Sequence, residues 1–210
     1  NEYVCNYISE QIFSGKIKPG ESVSERNLSK ELGISRTPIR EALIQLSTEG
    51  LIEKKERRGF FVKKIGPKKS KEIYEFIGVL ESYIGINVID KLNNSDISLM
   101  KRLYNQMDEC LNRKDLAGYK KLQMEFHNVF IKYCDNDMIL DCLKNLKLFT
   151  RLQIFYKKSE NEIFDMFKYY NTGHKKIIEC FEKKDKDNLY KVLKDEHWQI
   201  EFKEIMDYDY

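Results

Sequence analysis

All three histidines of the 210-residue chain, His127, His174 and His197, lie beyond residue 120. A neutral imidazole is a ligand for divalent transition metals, and three of them leave a coordination position open. His174 and His197 flank a polar break at Lys184-Asp185, each about eleven or twelve residues from it. In an antiparallel helical hairpin they stand at nearly the same height, about 17 Å from the turn. His127 comes from a third helix, with Phe126 and Phe130 near it on the inner side. A lone histidine is ordinarily structural or solvent-exposed; two level with each other across a hairpin point to a shared site.

The other end of the chain offers different chemistry. Arg36 and Arg40 are four apart and share one side of a helix near its N-terminus. Arginine can bond a guanine edge through two parallel donors, and Thr37 can bond a phosphate or meet a thymine methyl. Arg57 and Arg58 precede Gly59 in a tight turn, which suits a wing entering a minor groove. An isolated arginine pair is ordinarily a solvated helix face, but here the turn, the helix and the hairpin agree.

These side chains need elements to position them. Val4, Tyr7, Ile8 and Ile12 make a helical stripe that ends at Gly15 and Lys18-Pro19-Gly20. Ser24 caps a short helix through Leu32, stopped by Gly33. Ser35 or Thr37 caps the next, with Pro38 tolerated in its first turn and Ile39, Leu43 and Leu46 as its inner stripe. Two extended runs, 51–55 and 60–64, flank Glu56-Arg57-Arg58-Gly59. That order predicts a winged helix-turn-helix over 1–66.

After Pro67 no proline occurs for 143 residues, and the apolar spacing is helical almost throughout. The pattern predicts six helices at roughly 70–91, 95–113, 115–134, 137–157, 161–182 and 186–206. An antiparallel all-α bundle over 67–210 follows, making the chain mostly α.

Charge divides along the same line. Up to Gly66 there are 12 Lys and Arg against 9 acids, and the remainder holds 25 of each. The whole surplus of +3 therefore sits on the first part. So small a surplus places affinity for nucleic acid on a few positioned arginines rather than on bulk charge. The five cysteines form no CxxC and fit a reduced, cytoplasmic setting. No apolar run approaches a membrane span and no signal peptide opens the chain, although Asn1 in place of Met points to residues missing ahead of it.

The strings Ile17-Lys18-Pro19-Gly20, Ser24-Glu25-Arg26-Asn27-Leu28, Gly33 through Leu43 and Glu49-Gly50-Leu51-Ile52 resemble the DNA-binding domain of the GntR family of bacterial transcription regulators. The resemblance implies DNA contacts at Arg26, Arg36, Thr37 and Arg40, with Arg58 and Gly59 on the wing, and a homodimer on a palindromic double-stranded operator. Beyond residue 67 the chain resembles the FCD effector domain of the FadR-type branch, and six helices point to its VanR-like subgroup. Glu125-Phe126-His127, His174 with Ile178, and His197 match that domain's three metal-binding histidines, which implies a divalent ion, zinc or nickel. The usual fourth ligand, an Asp one turn before the first histidine, is here Gln123, a poorer neutral ligand or an orienter of water.

A second departure concerns the small-molecule effector. The family's Arg-x-x-x-Glu on the first effector helix grips an organic acid; here Glu81 is present but Ile77 takes the Arg position. Arg151 shares a stripe with Leu148, Leu152 and Phe155 and is the substitute expected to bind an effector carboxylate. The function expected is a transcription regulator, most simply a repressor, tuned by an organic acid or a metal. The alternative is a metal-dependent hydrolase with an appended DNA-binding domain. It lacks a positioned base, because Glu125 is turned away from His127 and Gln123 cannot act as one.

Overall fold

The computed structural model describes residues 2–150 and 159–198. It divides into two compact units, one of 2–70 with 145–150 and the other of 71–144 with 159–198. Each is mostly helical.

In the first unit, α1 (Glu2–Phe13), α2 (Glu25–Leu32) and α3 (Arg36–Thr48) precede a hairpin of β2 (Ile52–Lys55) and β3 (Gly59–Val62). Ser24 caps α2 by accepting from the Asn27 N–H, and Gly33 ends it in the left-handed region at φ 67°. Ser35 sits at the start of α3 but makes no side-chain cap bond, and Thr37 lies inside the first turn. Ile8, Ile39, Leu43 and Leu46 close the core, with Leu28 against them and the inward residues Ile52, Phe60 and Val62 beneath. Apolar burial on this scale drives the packing.

The sequence reading missed one strand. The two residues Ser22–Val23, named β1, pair antiparallel with Phe61 and Phe60, giving a three-stranded sheet in the order β1, β3, β2. Two residues carry too little period to be read as a strand; the ladder with β3 makes them one. The second wing strand also runs over Gly59–Val62 rather than 60–64.

The second unit contains α4 (Pro67–Val88) from residue 71 on, α5 (Asn94–Asn112), α6 (Leu116–Ile131), α7 (Asp137–Thr150) as far as residue 144, α8 (Glu160–Lys183) and α9 (Lys186–Lys191). Most of the polar breaks act as caps. Asn93 with Asp96 and Ser159 with Glu162 form capping boxes, and Asp115 and Asp185 accept from the N–H groups of Gly118 and Asn188. α5 packs along both α6 and α8. The first helix starts three residues earlier than expected, at Pro67, because proline fits the first helical turn.

The largest departure lies at the end. The expected helix 186–206 is α only through Lys191, then widens to a π-helical turn over Val192–His197. α4 comes close to that turn at Gly78, where a Cβ would stand 3.2 Å from the Leu193 and Lys194 carbonyl oxygens. The expected continuations through 151–157 and 199–206 lie outside the described residues. No described helix is long and apolar enough to cross a membrane.

Candidate functional site

Two sets of side chains stand out, one in each unit. In the first, Arg26 on α2 and Arg36, Thr37 and Arg40 on α3 are all exposed, while Ile39, Leu43 and Leu46 occupy the buried face of α3. Arg40 Nε lies 3.9 Å from Glu25 on α2, a loose solvent-exposed pairing.

At the wing, Arg57 adopts φ 56° and Gly59 φ 91°, and the Arg58 N–H bonds the Lys55 carbonyl to close the turn. Arg58 stands over the Phe61 ring at 5.7 Å and Lys55 over the same ring at 5.0 Å. Phe61 points outward because its neighbours in the strand, Phe60 and Val62, point inward. It therefore steadies two cations on the wing by cation–π attraction. Neither Phe61 nor Lys55 figured in the sequence reading, which weighed charges and turns but not cross-strand neighbours.

In the second unit, His127 from α6, His174 from α8 and His197 from the π turn come together in the interior. One ring nitrogen of each lies within 4.8 Å of the others. The Nε2 atoms of His127 and His197 are 3.1 Å apart. The height argument across the hairpin thus holds, and the third helix delivers its histidine to the same place.

A histidine cluster needs something to orient its rings, and Glu81 on α4 supplies it. Glu81 is fully buried, with Oε2 2.7 Å from His127 Nδ1 and accepting from the Trp198 indole N–H at 2.9 Å. Trp198 in turn lies 5.0 Å from both the His127 and His197 rings and stacks on Tyr74 at 5.7 Å. A carboxylate behind one nitrogen favours the tautomer whose other nitrogen carries the lone pair.

His174 is held by shape rather than by polar partners. Phe126 meets its ring edge-on at 4.8 Å. Burial, and then the neighbouring His127, push its pKa well below the ordinary value, while the Asn171 backbone pulls weakly the other way. The ring therefore stays neutral, as a metal ligand must. Gly173, one residue earlier, is what admits His197: a Cβ there would lie 2.8 Å from His197 Nδ1.

Of the remaining expected residues, Gln123 is half-buried on α6, one turn before His127. Ile77 is fully buried one turn before Glu81. Glu125 is exposed and lines an open groove between α5 and α6, away from the cluster. Arg151 lies outside the described residues. The sequence reading missed the parts played by Glu81, Trp198 and Gly173, since each acts on a histidine distant in sequence.

Residues 1–62 match the family "Bacterial regulatory proteins, gntR family", and residues 72–197 match the FCD domain. An uncharacterized HTH-type transcriptional regulator, YdhC, from Bacillus subtilis (strain 168) is 26% identical over 87% of this chain and 80% of its own length. The gluconate operon transcriptional repressor of Bacillus licheniformis is 28% identical over 87% of this chain and 76% of its own. The solved structure of E. coli McbR/YncC shares the fold, with a TM-score of 0.75 at 20% identity over 91% of this chain and 90% of that one. The relatives are regulators and not enzymes, so the hydrolase alternative finds no support. With a winged reading head ahead of an FCD helical unit, the chain belongs to the GntR family and is a DNA-binding transcriptional regulator of its FadR-type branch.

Proposed function

We propose that the protein is a homodimeric repressor, working in the bacterial cytoplasm, whose affinity for a palindromic operator is set by a divalent metal and a small-molecule effector. In this reading residues 1–66 are the reading head and 67–210 the effector and dimerisation domain. Arg36, Thr37 and Arg40 enter the major groove, Arg26 supports them from α2, and Arg58 and Gly59 bring the wing to the minor groove. His127, His174 and His197 hold zinc or nickel, with Gln123 adjacent as a weak fourth partner. Bound metal supplies positive charge for an anionic ligand, while Glu81 and Trp198 hold His127 in place.

The observation that carries this reading is the convergence of three buried imidazoles from three helices, with nitrogens within 4.8 Å of one another. Three buried imidazoles from three elements facing one point, with a buried carboxylate behind one of them, fit a metal-ligand set. A regulator needs a signal with different affinity for two arrangements of the dimer, and a ligand at the centre of the helical unit meets that need.

The test is metal content of the purified protein beside operator binding by fluorescence anisotropy. Wild type should retain close to one equivalent per chain, and His127→Ala, His174→Ala and His197→Ala should each lose it and change the response of DNA affinity to metal. Unchanged metal content in the three variants would discard the site. No DNA affinity at low salt, with and without metal, would discard the regulator.

A further inference from the structure

The outward face of α3 changes chemistry along its length. Its inner side is Ile39, Ala42, Leu43 and Leu46, all buried. Opposite them stand Thr37, Arg40, Glu41, Ile44 and Thr48, all exposed. Thr37 and Ile44 are seven residues apart, which puts them within about 20° of one line along the helix and about 10 Å from each other. Thr37, Arg40, Glu41 and Ile44 have the spacing i, i+3, i+4, i+7 with which a single helix lines a major groove.

The first turns of that face offer hydrogen bonds, from Arg36, Thr37 and Arg40. Further along, the polar side chains are turned to their own helix. The Thr48 hydroxyl donates to the Ile44 carbonyl at 3.1 Å, and the Gln45 carboxamide donates to Glu49 at 3.0 Å. Among them Ile44 stands 47% exposed. A single exposed aliphatic is ordinary on a protein surface. This one lies on the line of Thr37 and one turn from Arg40, on the side that faces the DNA in the reading above. Among the described residues α3 exposes no second large apolar side chain, so Ile44 belongs to no apolar patch of that helix.

The chemistry of the groove then selects its partner. The apolar group that a base pair presents in the major groove is the C5 methyl of thymine. An isoleucine pressed against a G·C pair would instead cover donors and acceptors that it cannot answer. Glu41, one turn before Ile44, is repelled by phosphate and leaves this half of the face to base edges rather than to the backbone.

We propose that Ile44 is a specificity-determining residue of the reading head, packing on the C5 methyl of a thymine about three base pairs along the groove from Thr37. This rests on α3 being the helix that enters the major groove. The arginines then supply charge and hydrogen bonds at one end of the helix, and Ile44 adds a shape-based preference for T·A at the other.

The experiment selects preferred duplexes from a random library with the full chain, for wild type, Ile44→Ser, Ile44→Val and Arg36→Ala, and reads affinities by fluorescence anisotropy. Wild type and Ile44→Val should select a T·A pair that Ile44→Ser leaves degenerate, with the other positions unchanged. Replacing that thymine by uracil in both half-sites removes the methyl alone. It should weaken wild type about 10-fold, since each methyl contact is worth about 3- to 4-fold, and leave Ile44→Ser indifferent. An unchanged profile in Ile44→Ser overturns the proposal, as does wild type binding uracil as tightly as thymine. A changed sedimentation coefficient in Ile44→Ser also overturns it, because the residue is then a protein contact. Arg36→Ala separates the two failures. If its profile changes and that of Ile44→Ser does not, the role of Ile44 alone falls; if neither changes, α3 is not the reading helix.

Discussion

A carboxylate sealed from water is tolerable only when polar groups answer it, and for Glu81 those include an imidazole and an indole N–H. Its place behind His127 makes it the residue that tunes the cluster. Glu81→Gln should keep the shape and lower metal affinity by about 10- to 100-fold, read by chelator competition, as losing the carboxylate behind a ligating histidine does. Gly173→Ala should also weaken the site, since the new methyl collides with His197; an unchanged circular dichroism spectrum with reduced metal content is the expected pair of results. His174 adds a pH dependence. Its pKa is depressed in the folded chain and about 6.5 in the unfolded one, so the unfolded state takes up a proton first as pH falls. The metal-free protein should lose stability below about pH 6.5, and His174→Phe should flatten that slope in thermal melts. The histidines were legible because their register is a matter of counting residues. Glu81 was legible as a residue but not in its role, since its partner lies on another helix.

At the scale of elements, capping chemistry was the most readable feature. Ser24, Asn93, Asp115, Ser159 and Asp185 all cap where polar breaks interrupt the apolar period. Ser24→Ala should cost about 1 kcal/mol, seen as a lower denaturation midpoint with the slope unchanged. The wing is a sheet device. Phe61→Ala should weaken operator binding by about 2- to 5-fold, the worth of an exposed cation–π contact, with little change in stability. Two features of this scale were hidden. β1 exists only through its ladder with β3, and the π turn at Val192–His197 keeps the residue types of an ordinary helix. π turns are frequent at functional sites, and this one ends on a histidine of the cluster.

For the whole molecule, the proposed dimer on two half-sites would bring Arg26, Arg36, Arg40 and Arg58 twice to the DNA. Six to eight phosphates neutralised give a slope of log affinity against log salt of about −5 to −7. Arg36→Ala removes one contact per copy and should flatten the slope by about 2 if that contact is to phosphate. A base contact would instead leave the slope intact and relax sequence preference.

The sequence alone determined the two-part organisation, the order of the winged elements, the exposed arginines of α3 and the level histidines. All of these are encoded locally, in period, caps and counted spacing. Tertiary structure decided what no period records: the third strand, the π turn and the cation-bearing ring of Phe61. It also decided Glu81 and Trp198 behind His127 and the space that Gly173 leaves for His197. These depend on which atoms of distant segments meet in a closed interior, where a polar group is costly without a partner and a single methyl group decides an approach.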